Sequence, residues 1–133
     1  MPASIDRLTA ADTAFLVAGS SSGRGVLPLV CLHGIGGDAN SFMPQLRSLA
    51  TRRRVLSWNM PGYGASAPMA DMCFAGLCDR LCAALDALRI DRAVIAGQSI
   101  GGMIAQEMAI RHPDRIAGLV LIATVPAFGG RDD

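Results

Sequence analysis

Ser99 is the residue of this chain best placed to do chemistry, in the series Gly97-Gln98-Ser99-Ile100-Gly101. Ahead of it, Arg92 to Ala96 is a short apolar run with two β-branched residues, which predicts a buried strand. After it, Ile100 to His112 predicts a helix that Pro113 stops. Glycine two residues away on each side suits an abrupt turn from strand to helix, because a Cβ at 97 or 101 would clash with close neighbours. Such a turn lifts the Ser99 hydroxyl clear of the sheet. It also leaves the Ile100 amide at a helix N-terminus, aimed at any oxyanion that develops beside the serine. Gly-x-Ser-x-Gly occurs by chance in many chains, but between a strand and a helix it is the pattern of a nucleophile elbow.

The elements that must hold this turn can be read in order. Asp12 to Gly19 predicts a first strand, ended by the flexible turn Gly19 to Gly23. Val26 to Leu32 is nearly continuous in its hydrophobicity, as expected of a strand covered on both faces, and runs into His33-Gly34-Ile35-Gly36-Gly37. Asn40 or Ser41 can cap a helix that places Phe42, Leu46 and Leu49 on one face. Arg52-Arg53-Arg54 ends it, where cations suit the helix dipole. Val55 to Trp58 is the next strand, and the glycines and prolines from Asn59 to Pro68 make a loop. Asp71 to Leu88 predicts a helix that buries Leu77, Leu81, Leu85 and Leu88. Gly101, Ala105 and Ala109, four apart, let the helix after Ser99 lie close on the sheet. Arg115 to Ala123 closes the series as a last apolar strand. Alternating strands and helices predict an α/β fold, a mostly parallel sheet with helices on both faces and right-handed crossovers.

Composition narrows the function. The 133 residues suffice for one domain with a real core, and are 51% hydrophobic, 17% charged and rich in glycine, with 15. A net charge of +1 and the lack of a basic stripe argue against nucleic acid and anionic membranes as partners. The N-terminus lacks a basic leader followed by an apolar stretch, and Ile116 to Phe128 is too short to span a bilayer, which places the protein in the cytoplasm. Cys31, Cys73, Cys78 and Cys82 read as buried free thiols without the spacing of a metal site. Neither a metal nor an organic cofactor is implied.

Four ordered segments together resemble the α/β-hydrolase superfamily. They are Leu32 to Gly37, Asn59 to Ser66, Gly97 to Ala105, and Arg111 to Arg115 leading into Leu119 to Ala123. The style is similar to the 3-oxoadipate enol-lactonases and related carboxylesterases. This resemblance implies Ser99 as nucleophile of acyl-enzyme chemistry on a small ester, lactone or similar acyl substrate. It implies backbone amides of Ile35 and Ile100 as the oxyanion hole, and the side chains of these two residues together with Met103 and Trp58 as lining of an apolar acyl pocket. Asn59 stands where an aspartate is common in the family, at a position with a structural role in its loop.

The same resemblance marks an absence. The family order is serine, then acid, then histidine, yet no histidine follows His112. His33 shapes the oxyanion loop, His112 caps a helix, and Asp132 or Asp133 would be an acid without a base to orient. Residues 1–133 therefore read as the N-terminal part of one domain, an incomplete α/β-hydrolase fold nearly inert by itself. The strand at 116–123 is expected to be an exposed apolar edge, prone to self-association or to binding another chain. Alternative functions are a non-catalytic remnant acting through that edge, or acyl transfer or carbon–carbon hydrolysis on the same scaffold.

Overall fold

The computed structural model describes residues 4–20 and 25–126. In chain order the strands are β1 (Ile5–Ala10), β2 (Thr13–Ala18), β3 (Leu29–Leu32), β4 (Val55–Trp58), β5 (Ala93–Gln98) and β6 (Ile116–Ile122). The α-helices are α1 (Met43–Leu49), α2 (Phe74–Ala87) and α3 (Ile100–Arg111). One sheet contains all six strands in the order β1-β2-β4-β3-β5-β6. β4, β3, β5 and β6 are parallel neighbours, and β1 and β2 join antiparallel at the β4 side. The fold is α/β with a mostly parallel, mixed sheet.

β3 shows how the layers form. Its side chains alternate: Val30 and Leu32 enter one core, Leu29 and Cys31 the other. The first core lies under α2 and α3 and gathers Leu77, Leu81, Leu85, Ile104 and Met108 around Leu56, Trp58 and Ile95. The second lies under α1, where Phe42, Leu46 and Ala50 cover Val55 and Ala96. A strand buried on both faces must be apolar at every position, and that is why the run at 29–32 shows no alternation. The leucine stripe of α2 is core, as its helical spacing predicts.

Three expectations need correction. The strand expected at Asp12 to Gly19 is β2, but it is not the first: β1 precedes it, and the two form a hairpin with Ala10 opposite Thr13. Its two central residues, Ala11 (φ 47) and Asp12 (φ 66), adopt the left-handed conformation of a tight hairpin turn. Glycine or asparagine normally marks such a turn, and neither stands there. Neither Asn40 nor Ser41 caps α1: Asp38 caps a short 3-10 turn, Ala39–Phe42, that leads into it, its side chain accepting the Asn40 amide at 2.7 Å and its own N–H donating to Ser41 Oγ at 3.2 Å. Cys73 is exposed rather than buried, because its sulfur caps α2 by accepting the Gly76 amide at 3.3 Å. The other three cysteines are buried, and burial pushes the thiols of Cys31 and Cys78 up to about 12. The expected turn at Gly19 to Gly23 falls partly outside the described residues, as do Asp132 and Asp133.

Candidate active site

Between β5 and α3 the chain turns on a single residue. Ser99 has φ 55 and ψ −120, a backbone conformation that L side chains rarely adopt. Several contacts hold it there. Its N–H donates to Ile122 O at 3.0 Å, extending the ladder to β6. Its carbonyl accepts from Gly102 N at 2.9 Å, from Met103 N at 3.2 Å and from the Thr124 hydroxyl at 2.6 Å. The flanking glycines are required by close approach: a Cβ on Gly97 would strike the Gly101 backbone, and one on Gly101 the Leu32 carbonyl. The side chain of Ser99 is exposed at the carboxyl end of β5, the end where open α/β sheets bind ligands.

The loop after β3 meets the elbow from the side. A Cβ on Gly34 would lie 3.2 Å from Ser99 Cβ and 3.8 Å from its Oγ. Gly34 to Gly37 is a tight turn closed by Gly37 N donating to Gly34 O at 3.1 Å, with Gly36 at φ 86. The Ile35 amide takes no part in that bond. At the elbow, Gly102 and Met103 spend their amides on the Ser99 carbonyl, while Ile100, first residue of α3, has no intrahelical acceptor for its own.

His33 fixes the shape of this loop. Its imidazole is fully buried, with Nδ1 2.8 Å from Gly34 O and Nε2 accepting Met60 N at 3.0 Å. One nitrogen must donate and the other accept, so the ring is the neutral Nδ1–H tautomer. Burial also holds its pKa below the usual value, against the opposing pull of Gly34 and Asp38. The ring packs on Tyr63 with centroids 4.9 Å apart. The next loop is knitted in by Asn59, whose Oδ1 accepts Ala39 N at 3.0 Å, and by Ser66, which donates to Asn59 O at 2.6 Å and accepts Ala14 N at 2.8 Å. Position 59 thus acts through its neighbours in the loop, as its place in the sequence suggests.

Two of the residues expected to line an acyl pocket are placed differently. Trp58 is 0% exposed inside the core under α2 and α3, and Met103 is 6% exposed on α3. Neither reaches open surface. The open cleft beside the elbow, of ≈ 290 Å³, is lined instead by Met72, Cys73, Phe74, Leu77 and Ile100. Of these, Ile100 is expected there from the family resemblance, whereas the sequence pattern places Leu77 in the core and Met72 to Phe74 at the start of a helix. Their meeting with Ile100 depends on where α2 begins relative to the elbow, which no local pattern encodes. Thr124 was missed for a similar reason, since its partner lies 25 residues away.

The second histidine is remote from this end. His112 follows α3, whose 12 residues at 1.5 Å per residue carry the chain about 18 Å from Ser99. Among the described residues, no group of three or more His, Cys, Asp or Glu could hold a metal. No helix there is long and apolar enough to cross a membrane.

A family model for the alpha/beta hydrolase fold matches residues 28–133, and the chain belongs to that family. It is 36% identical over 114 residues to a pimeloyl-(acyl-carrier protein) methyl ester esterase from Klebsiella pneumoniae, covering 84% of this chain and 42% of that one. It is 40% identical over 103 residues to the dihydrolipoyllysine-residue acetyltransferase component of an acetoin cleaving system from Pseudomonas putida, covering 77% of this chain and 28% of that one. The crystal structure of the enol-lactonase from Burkholderia xenovorans LB400 matches with a TM-score of 0.81 at 28% identity, covering 93% of this chain and 48% of that one. The chain spans less than half the length of each of these relatives.

Proposed function

We propose that the chain carries the nucleophile and both oxyanion donors of a serine hydrolase acting on carboxylic esters, lactones or similar acyl compounds. Ser99 Oγ attacks the acyl carbon, the alcohol leaves, and water then releases the acid from the serine ester. The amides of Ile35 and Ile100 hold the oxyanion, each such donor being worth about 3 kcal/mol in the transition state. The observation that carries this reading is the left-handed Ser99 pressed against Gly34, which puts an exposed hydroxyl beside two loops with amides to spare. Relatives named as a methyl ester esterase and an enol-lactonase agree with the substrate class.

Neither histidine of these 133 residues is placed to act as the general base. The sequence has 2 histidines; both nitrogens of His33 are engaged, and His112 ends the helix that Ser99 begins. Losing the base of a comparable triad lowers turnover on the order of 10⁶-fold, so this chain alone should be nearly inert. A fluorophosphonate should therefore label Ser99 in a catalytically complete protein and leave the isolated chain unlabelled. Ester hydrolysis that survives Ser99→Ala in the complete protein would overturn the assignment. The acetyltransferase relative keeps acyl transfer as an alternative, distinguished by product formation with an added thiol acceptor. Carbon–carbon hydrolysis is the other alternative on this scaffold.

A second reading rests on β6. Leu119, Val120, Leu121 and Ile122 are 37–47% exposed on an edge that no other strand among the described residues pairs with, a surface suited to strand pairing with another chain or a second copy. Sedimentation would show an association that Val120→Lys abolishes; a monomer at every concentration removes self-association.

A further inference from the structure

A cavity of ≈ 470 Å³ opens where β3, β4 and β5 begin, at the opposite end of the sheet from Ser99. Three arginines line it from three segments: Arg54 just ahead of β4, Arg89 just beyond α2, and Arg92 just ahead of β5. Asp91 is the one acidic residue of the lining. The ion pairs among the described residues are Arg111 with Glu107 and Arg115 with Asp86, so no carboxylate holds any of the three guanidiniums. Arg54 is half-buried nonetheless.

Arg89 stands where the backbone suits another residue. α2 ends in a Schellman motif, with Arg89 N donating to Asp86 O at 3.0 Å and Ile90 N to Leu85 O at 2.8 Å. Arg89 then has φ 59, in the left-handed region where glycine is favoured. An arginine there accepts backbone strain that glycine avoids, and such an outlier points to a use for the side chain. The walls are fixed from behind. Arg115 donates to Ile90 O at 2.8 Å and Asp91 O at 2.6 Å, while Arg54 O accepts Leu29 N at 2.9 Å and Pro28 O accepts Val94 N at 3.0 Å. Helix dipoles account for cations near the ends of α1 and α2. They do not account for a third cation from ahead of β5, or for the convergence of all three on one cavity.

We propose that this cavity binds a soluble phosphomonoester with an apolar organic part. Guanidinium forks match phosphate oxygens in pairs, and the single carboxylate of Asp91 does not offset three of them. Val26, Pro28 and Leu88 give the organic part an apolar wall. Because the backbone of the rim is already held, ordering costs fall mainly on the arginine side chains. The site is separate from the acyl substrate's and needs nothing from Ser99.

Titration calorimetry of the 133-residue chain with phenyl phosphate, in phosphate-free buffer at constant ionic strength, should show saturable one-to-one binding. Inorganic phosphate should bind about three- to tenfold more weakly, for want of the apolar contact. Arg89→Gly removes a guanidinium at a position that glycine suits, so the fold is kept, and Kd for phenyl phosphate should rise about five- to tenfold. Arg92→Gln should act alike. Arg47→Gln, at an exposed residue of α1 outside the cavity, should change nothing. Absence of saturable binding, equal binding of the two phosphates, or equal losses from Arg47→Gln and Arg92→Gln would each overturn the proposal. Co-sedimentation with phosphatidylcholine vesicles only when they contain phosphatidic acid, and lost in Arg92→Gln, would overturn the assignment to a soluble ligand.

Discussion

β3 and β6 flank the same strand, β5, and both are apolar along their length, yet they meet opposite fates. No residue of β3 is more than 8% exposed, whereas Leu119 to Ile122 of β6 are 37–47% exposed. α1 covers one face of the β3 side, and α2 and α3 cover the other. Beyond β6 no described strand pairs with it. An uninterrupted apolar run therefore says that a strand is suited to two covered faces, and nothing about whether the covers are present.

Substitutions can test that contrast, beginning where the β3 side is tightest. Gly101→Ala should cost about 3 kcal/mol, because the new methyl meets the Leu32 carbonyl of β3 rather than a side chain that can move. A shift in the urea midpoint measures it. Next is a matched pair of leucines. Leu32→Ala, at a residue 0% exposed, should cost about 2–5 kcal/mol, and Leu121→Ala on β6 no more than about 0.5 kcal/mol. Equal costs would break the comparison and mean that β6 is covered in solution.

Smaller effects sharpen it. Ser66→Ala strands the Ala14 amide and the Asn59 carbonyl and should cost about 1–3 kcal/mol, confirming that the loops over β2 and β4 depend on buried polar bonds. The smallest effect is on pH dependence. His33 has a folded pKa below its unfolded value of about 6.5, so below that pH the unfolded chain binds more protons. Its part of the stability is present above about pH 6.5 and is lost as the pH falls toward the folded pKa. Urea midpoints from pH 7.5 to 5 should decline more for the parent than for His33→Gln. Parallel declines would mean that His33 does not contribute.

What could be read from the residues followed from locality. The elbow, β4 and α3 were legible because turn, period and stop signals sit within a few residues of one another. The α/β class followed from their alternation. β1 was hidden because its turn is built from Ala11 and Asp12, which carry no strong turn signal. The cleft and the Thr124 bond were hidden because each joins segments distant in sequence. Trp58 was misplaced because apolar character cannot say which face of a strand a side chain takes. The exposure of Cys73 was missed because a thiol acting as a helix cap has no distinctive spacing.

The link from Ile122 and Thr124 to Ser99 carries a consequence for biosynthesis. A ribosome delivers the serine and its glycines well before residues 122 and 124 emerge, so the nascent bend at first lacks two of its four tethers. One of those tethers is the last residue of β6 and the other lies two residues beyond it. The nucleophile's geometry is thus completed late, by residues at and just beyond the end of the last strand.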